Sequence, residues 1–398
     1  MHELSGSQEA GRPQRRDAEA DMTTPGHVAS GAKARTPAGA ATPLFVSHSN
    51  LEKLLRQRAR ESILYAPTRY GDALHYRRFE SDYEGIVLDG ARTVEPIKSF
   101  FFKARERLAR YFAPGQREEG PAKSITIVGA KACDLRSLEL LDRVFGEGVF
   151  KEPLYVASRR NNLVISTDCA QYADTCFCNL MGLQPYPRDG FDLNLSAVSG
   201  GYLVDVGSSK GRELVEGNEA LFSPPSEGQL EERGQARAKA LAQLRRHNEA
   251  YALEQPFQEV LLRGLRAPVW EALAGRCVGC AACEMVCPTC HCFLIYDQES
   301  DGGFEKVRVW DSCHYPGFAR TAGGGNPRPL LSERFKNRFV HKFDFSPNNY
   351  GMYGCTGCGR CIEACPAGID IRQVFYDLAA AQKESLDREP IRAAESDR

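Results

Sequence analysis

Two cysteine runs near the C-terminus constrain this chain more than any other feature. The first reads Cys277-x2-Cys280-x2-Cys283-x3-Cys287-Pro288, and Cys355-x2-Cys358-x2-Cys361-x3-Cys365-Pro366 repeats it position for position. Three thiolates two residues apart on a tight loop can grip three irons of one cubane, while the fourth points toward a second cubane. The spacing therefore predicts two [4Fe-4S] clusters with exchanged fourth ligands. Cys277, Cys280, Cys283 and Cys365 are assigned to one, and Cys355, Cys358, Cys361 and Cys287 to the other. Zinc ribbons also use C-x2-C pairs, but in two pairs about 15–20 residues apart with four ligands in all. Disulfides would need an oxidising compartment, to which the N-terminal residues give no address.

A chain of 398 residues predicts two or three domains. Its formal charge of −1 gives no whole-chain field of the kind that draws nucleic acid or an anionic membrane surface. No apolar run approaches the roughly 18 residues that span a bilayer. The first forty or so residues, rich in Ala, Gly, Pro, Thr and Arg, contain no apolar signal core. Arg15-Arg16 is followed by Asp17-Ala-Glu-Ala-Asp21 where twin-arginine export needs an apolar stretch. Residues 1–42 thus read as a disordered tail, with Met22 as an alternative start, and the compartment as the reducing cytoplasm. Spaced cysteines there indicate metal.

Along the chain, Ser49 and Asn50 offer caps for a helix over Leu51–Tyr65, ended by Pro67. Phe100, Phe101, Leu108, Tyr111 and Phe112 recur at helical spacing and predict a helix over Ile97–Phe112. Ser124–Val128 reads as a buried strand. It leads through a small-residue turn at Lys131-Ala-Cys-Asp-Leu135 into a helix, an α/β unit with Cys133 and Asp134 at the strand's carboxyl end. A second strand, Leu163–Ser166, precedes Cys169-x6-Cys176-x-Cys178. Leu193–Val206 alternates as a strand or a hairpin, with Gly200-Gly201 as the turn. The charged stretch from Ser226 to about Gln255 reads as a linker or surface helix. The predicted class is α+β: an N-terminal α/β domain (43–225), a charged helical linker (226–266) and a C-terminal α-helical dicluster ferredoxin-type domain (267–398).

Between Cys287 and Cys355 lie 67 residues, a long insertion for a ferredoxin module. It carries Gly323-Gly-Gly-Asn-Pro-Arg-Pro329, which is neither a dinucleotide turn nor a P-loop. Arg334, Lys336, Arg338, His341 and Lys342 follow, and fit equally a solvated face or a set of donors to cluster sulfurs, where hydrogen bonds and charge tune potential. Cys133, Cys169, Cys176 and Cys178 on strand-end loops point to a third [4Fe-4S] cluster. The same thiols as buried apolar residues, or as a four-thiolate zinc site, remain open, as does Asp134 in place of Cys133. Cys290, His291, Cys292 and Cys313 are expected to pack around a cluster, with another metal site the alternative. No acid, base or nucleophile suited to catalysis is evident.

These segments resemble a known family. Lys131-Ala-Cys-Asp-Leu135, Thr175-Cys-Phe-Cys178 with Met181-Gly182, Cys287-Pro-Thr-Cys-His-Cys292, Trp310-Asp-Ser-Cys313, Asn326-Pro-Arg-Pro329 and Cys355-Thr-Gly-Cys-Gly-Arg-Cys361 are similar to the β subunit of cytoplasmic NiFe hydrogenases and sulfhydrogenases. The related A subunit of anaerobic sulfite reductase carries much the same set. The resemblance runs from about Leu44 to Asp377 and implies an iron–sulfur electron-transfer subunit. Its implied partners are an FAD- and NAD(P)-binding γ-type subunit, together with a hydrogenase, sulfur-reducing or sulfite-reducing one. Lys131-Ala132 departs from the family's frequent Arg-Pro and predicts a looser turn at Cys133. A zinc-stabilised scaffold, and a chain with its own sulfur-reducing site at Cys290–Cys313, are the competing expectations.

Overall fold

The computed structural model describes residues 42–80, 83, 85–111, 123–300 and 303–396, and side chains as far as residue 383. Residues 1–41 of the expected tail, with Arg15, Arg16 and Met22, lie outside the described residues, as does Phe112. In chain order the elements are β1 (Leu44–Ser47), α1 (His48–Glu61), β2 (Ile63–Tyr70), β3 (Ala73–Arg78), β4 (Arg105–Tyr111), β5 (Ile125–Ala130), α2 (Ala132–Asp142), α3 (Pro153–Asn161), β6 (Leu163–Thr167), β7 (Leu193–Val198), β8 (Gly201–Val206), α4 (Ser209–Glu216) and β9 (Phe222–Ser223). There follow α5 (Glu227–His247), α6 (Phe257–Arg263), α7 (Val269–Arg276), α8 (Ala282–Met285), β10 (Phe293–Ser300), β11 (Gly303–Trp310), α9 (Leu331–Val340), α10 (Ser346–Tyr350), α11 (Arg360–Glu363) and α12 (Ile371–Ser396).

The N-terminal half is built on an eight-stranded sheet ordered β3-β2-β5-β6-β7-β8-β1-β9. Strands β2, β5, β6 and β7 run parallel, and their apolar β-branched residues are buried because helices cover both faces. Leu51, Leu54 and Leu55 of α1 pack on one face with Val128, Ile165 and Leu195. Leu135, Leu138 and Leu141 of α2 and Tyr155 of α3 pack on the other, with Ile127 and Val164. The helical C-terminal region has its own core, in which Trp270, Phe335, Phe339, Phe343 and Phe375 interlock. The molecule is therefore α+β, with the cysteine runs in the helical part. None of the described helices is long and apolar enough to cross a membrane.

Two expectations are corrected. The first helix ends at Glu61, and Pro67 lies inside β2. Proline is tolerated there because β2 pairs with β5 only over Ile63–Tyr65, so its missing N–H breaks no bond of that ladder. The helix expected over Ile97–Phe112 is a single turn, Ile97–Phe100, followed by strand β4. Its periodic aromatics mark a core contact, since Phe101 and Phe102 are buried. Arg105–Tyr111 instead pairs antiparallel with β11, and Arg107 and Arg110 both meet Glu305 at 3.0 Å. That pairing joins the insertion hairpin β10–β11 to the N-terminal half, a contact no local propensity encodes.

The hairpin β7–β8 forms as the alternation predicts, with Gly200 at φ +83°. The charged segment is α5, a docked surface helix. Its Ser226 hydroxyl accepts from Gln229 N, and Gln229 Oε1 accepts from Ser226 N. Arg237 holds Asp168 at 2.7 Å, and Leu244 is fully buried.

Candidate metal centres

The two runs fold into the same local device. In each, the first cysteine sulfur accepts from the amide two residues on: Gly279 N to Cys277 Sγ at 3.4 Å, and Gly357 N to Cys355 Sγ at 3.5 Å. The chain turns through left-handed backbone at Gly279 and Ala281 (φ +68° and +59°) and, in the same places, at Gly357 and Gly359 (+64° and +73°). The one-turn helices α8 and α11 then present Cys283 and Cys361.

Three cavities are lined by cysteines, two of them by five and the one between by four. One is bordered by Cys277, Cys280, Cys283 and Cys365, with Arg338, Phe339 and His314. The next is bordered by Cys287, Cys355, Cys358 and Cys361, with Phe177, Thr356, Arg338 and Lys342. The third gathers Cys133, Cys169, Cys176 and Cys178, with Arg92, Leu244 and Cys358. Cys361 and Arg338 border both the first and the central cavity, and Cys358 borders both the central and the third. The cavities therefore stand in series.

The electrostatics suit groups that take over thiolate charge. Loss of water pushes Cys283 and Cys355 up to about 12 and Cys169 to about 11, opposed by Arg338, Lys342 and Lys131 respectively. Cys287 is drawn well below the thiol range, chiefly by its hydrogen bond with Cys290 and then by Lys342. Lys342 Nζ donates to Cys287 Sγ at 3.1 Å, to Thr289 Oγ1 at 3.1 Å and to the Gly354 carbonyl at 2.9 Å. Arg338 Nε, Thr356 Oγ1 and His314 Nε2 are buried without a partner among the described protein atoms. All three belong to residues on the walls of the first two cavities. Donors stranded beside four thiols fit a group that brings acceptor sulfur and accepts thiolate ligands, as [4Fe-4S] clusters do.

The third cavity depends on strand ends. Cys133 follows β5 and Cys169 follows β6, so parallel pairing delivers both to one edge. Lys131 does not loosen this turn. Its buried ammonium donates to the Leu88 carbonyl (3.0 Å), Thr167 Oγ1 (2.8 Å) and the Asp168 carbonyl (3.1 Å). Asp134 is not on the cavity wall, because its carboxylate is paired with Arg360 at 2.9 Å, both side chains being 1% exposed.

Arg360 also donates to the Thr93 carbonyl, and Arg92 Nε to the Cys358 carbonyl, so each half of the molecule reaches into the other. The loops of the central and third cavities touch backbone to backbone. Phe177 N donates to the Gly357 carbonyl at 2.8 Å, and a β-carbon on Gly359 would stand 2.1 Å from the Thr175 carbonyl oxygen.

The basic group of the insertion divides. Arg338 and Lys342 are buried on cavity walls, Lys342 within a π-helical turn, His341–Phe345. Arg334 donates to the carbonyls of His314, Arg328 and Pro329, and Lys336 to that of Leu265, which are structural tasks. His341 packs edge-on against His291. Cys290 sits against Cys287, and burial pulls His291 down to about 4, leaving it neutral at pH 7. Cys292 and Cys313 meet where the hairpin closes, with Asp311 N donating to the Cys292 carbonyl at 3.0 Å. Arg92, Arg360, Glu284 and His314 are the participants that sequence reasoning did not single out. Glu284 and His314 each follow a cysteine, which was their one available signal.

A family model for a 4Fe-4S dicluster domain matches residues 276–369. The chain is also 32% identical over 320 residues to the sulfhydrogenase 2 subunit beta of Pyrococcus furiosus, a match covering 79% of this chain and 92% of that one.

Proposed function

The chain belongs to the sulfhydrogenase β-subunit family, and from that premise we propose that it relays electrons through three [4Fe-4S] clusters placed in series. That it is an iron–sulfur electron-transfer subunit follows from the family and from the dicluster domain. The number of clusters and their order are our reading. One observation carries it: three cysteine-lined cavities in which Cys358 and Cys361, assigned to the central cluster, also border the cavities on either side. Adjacent clusters sharing a wall residue are close enough for direct single-electron hops. Such hops need no acid, base or nucleophile.

The assigned ligands are Cys277, Cys280, Cys283 and Cys365 for the first cluster, Cys355, Cys358, Cys361 and Cys287 for the central one, and Cys133, Cys169, Cys176 and Cys178 for the third. When bound, the clusters supply the redox chemistry. The chain supplies thiolates, and Arg338, Lys342, Lys131 and Arg92 supply positive charge that favours the more negative, reduced state. The first cavity reaches the surface at Val278 (68% exposed) and Cys280, and the third at exposed Gln171. The central cavity is walled by buried Cys287, Cys358 and Phe177. A relay with two surface terminals suits a subunit lying between a flavin- and NAD(P)-binding γ-type partner and a hydrogenase or sulfur-reducing partner, in the reducing cytoplasm.

The test is anoxic purification of the full chain with iron, sulfide and EPR analysis. About twelve irons and twelve sulfides per chain are expected, with reducible cubane signals. About eight of each would remove the third cluster. A colourless protein holding zinc without sulfide would replace the relay by a zinc-stabilised scaffold.

A further inference from the structure

We propose that Glu284, Cys292, Cys313 and His314 form a mononuclear site for a divalent ion of the zinc class, distinct from the three cubane sites and set beside the first of them. Glu284 comes from α8, one residue after Cys283, and Cys313 and His314 come from the turn after β11. One donor atom each from Glu284, Cys313 and His314 converges, all within 4.8 Å of one another. Glu284 Oε1 lies 3.1 Å from Cys313 Sγ and 2.8 Å from His314 Nδ1. The fourth donor we assign is Cys292, which stands beside Cys313 at the base of the hairpin, next to the three atoms that already converge. The register Phe293↔Trp310 at the base of the β10–β11 hairpin brings these two cysteines together.

The surroundings are those of a closed metal site. Glu284 and His314 are 2% and 1% exposed, and Cys313 is 9% exposed. Ser312 Oγ donates to Glu284 Oε2 at 2.6 Å, which fixes the carboxylate and leaves Oε1 turned to the thiol and the imidazole. Two thiols, an imidazole and a carboxylate form a borderline-soft set of four that suits tetrahedral zinc and not magnesium or calcium.

An independent observation agrees. His314 Nε2 is buried without a partner among the described protein atoms, while its ring borders the cavity of Cys277, Cys280, Cys283 and Cys365. An ion on Nδ1 fixes the tautomer with the proton on Nε2, and that N–H then faces the first cluster's sulfur as a donor. A fourth cubane fits less well, because the next thiol, Cys290, lies against Cys287, which is assigned to the central cluster.

The test is elemental analysis and zinc-edge X-ray absorption on the full chain, purified anoxically with its clusters. About one zinc per chain in a shell of two sulfurs and two lighter atoms is expected. Cys313→Ser and His314→Gln should lose that zinc and keep the cluster iron and sulfide. Wild-type protein without stoichiometric zinc overturns the proposal, as does zinc that survives both substitutions. Extra iron and sulfide lost with Cys313→Ser would likewise overturn it in favour of a further cluster. If either variant fails to fold, the absorption shell of the wild type decides alone.

Discussion

Lys342 places a buried ammonium 3.1 Å from Cys287 Sγ, and a charge-assisted hydrogen bond of that kind contributes about 1.5–3 kcal/mol. Reduction adds negative charge, so removing the donor disfavours the reduced state. Lys342→Met should lower the central cluster's potential by up to about 130 mV, at 59 mV per tenfold for one electron, since only the part of the bond gained on reduction counts. An EPR-monitored potentiometric titration reads this, and an unchanged potential would leave Lys342 a packing role only. The Asp134–Arg360 pair is a second residue-scale case, being 1% exposed on both sides. Asp134→Asn strands the guanidinium and should cost about 3–5 kcal/mol in denaturant unfolding. Breaking the exposed Lys383–Glu254 pair, 65% and 80% exposed, should cost under about 1 kcal/mol. The sequence left Lys342 between a solvated face and a donor to cluster sulfur, and showed Arg360 only as a neighbour of Cys361.

At the scale of elements, the cysteine loops were legible and the strands that bracket them only partly so. Run spacing is local: a C-x2-C-x2-C loop dictates its own turns, which is why the two runs share backbone angles and the one-turn helices α8 and α11. The pairing of β4 with β11 crosses nearly two hundred residues, and the helical spacing of aromatics around Phe101 concealed it. Loop contact is equally demanding. Gly359 lies at φ +73° with the Thr175 carbonyl where a β-carbon would go. Gly359→Ala should therefore cost at least about 1–2 kcal/mol from the left-handed backbone alone. Loop displacement should add to this, with iron lost from the central and third sites while the first site keeps its share. Iron and sulfide counts beside a thermal melt check both parts.

For the whole molecule, the order of the cavities makes the central site the bottleneck. Cys355→Ser, which removes one of its assigned ligands, should stop electrons entering at one terminal from reaching the other, although a small chemical reductant still reduces both end clusters. Freeze-quenched EPR after reduction through one partner alone checks this, and unimpaired transfer would break the series. The sequence by itself assigned eight cysteines to two fours, because ligand spacing follows from short stretches of covalent chain, and each four lines one cavity. It also determined that four more stand at strand ends, because strand and turn signals are local. Only the tertiary structure decided that the third group lies against Cys358, that Asp134 serves Arg360 rather than the cavity, and that Glu284, Cys313 and His314 converge. The physical reason is separation along the chain. Arg92 reaches the Cys358 carbonyl across 266 positions, and contacts of that range are set by how the sheet and the helical core pack together, not by any local pattern of residues.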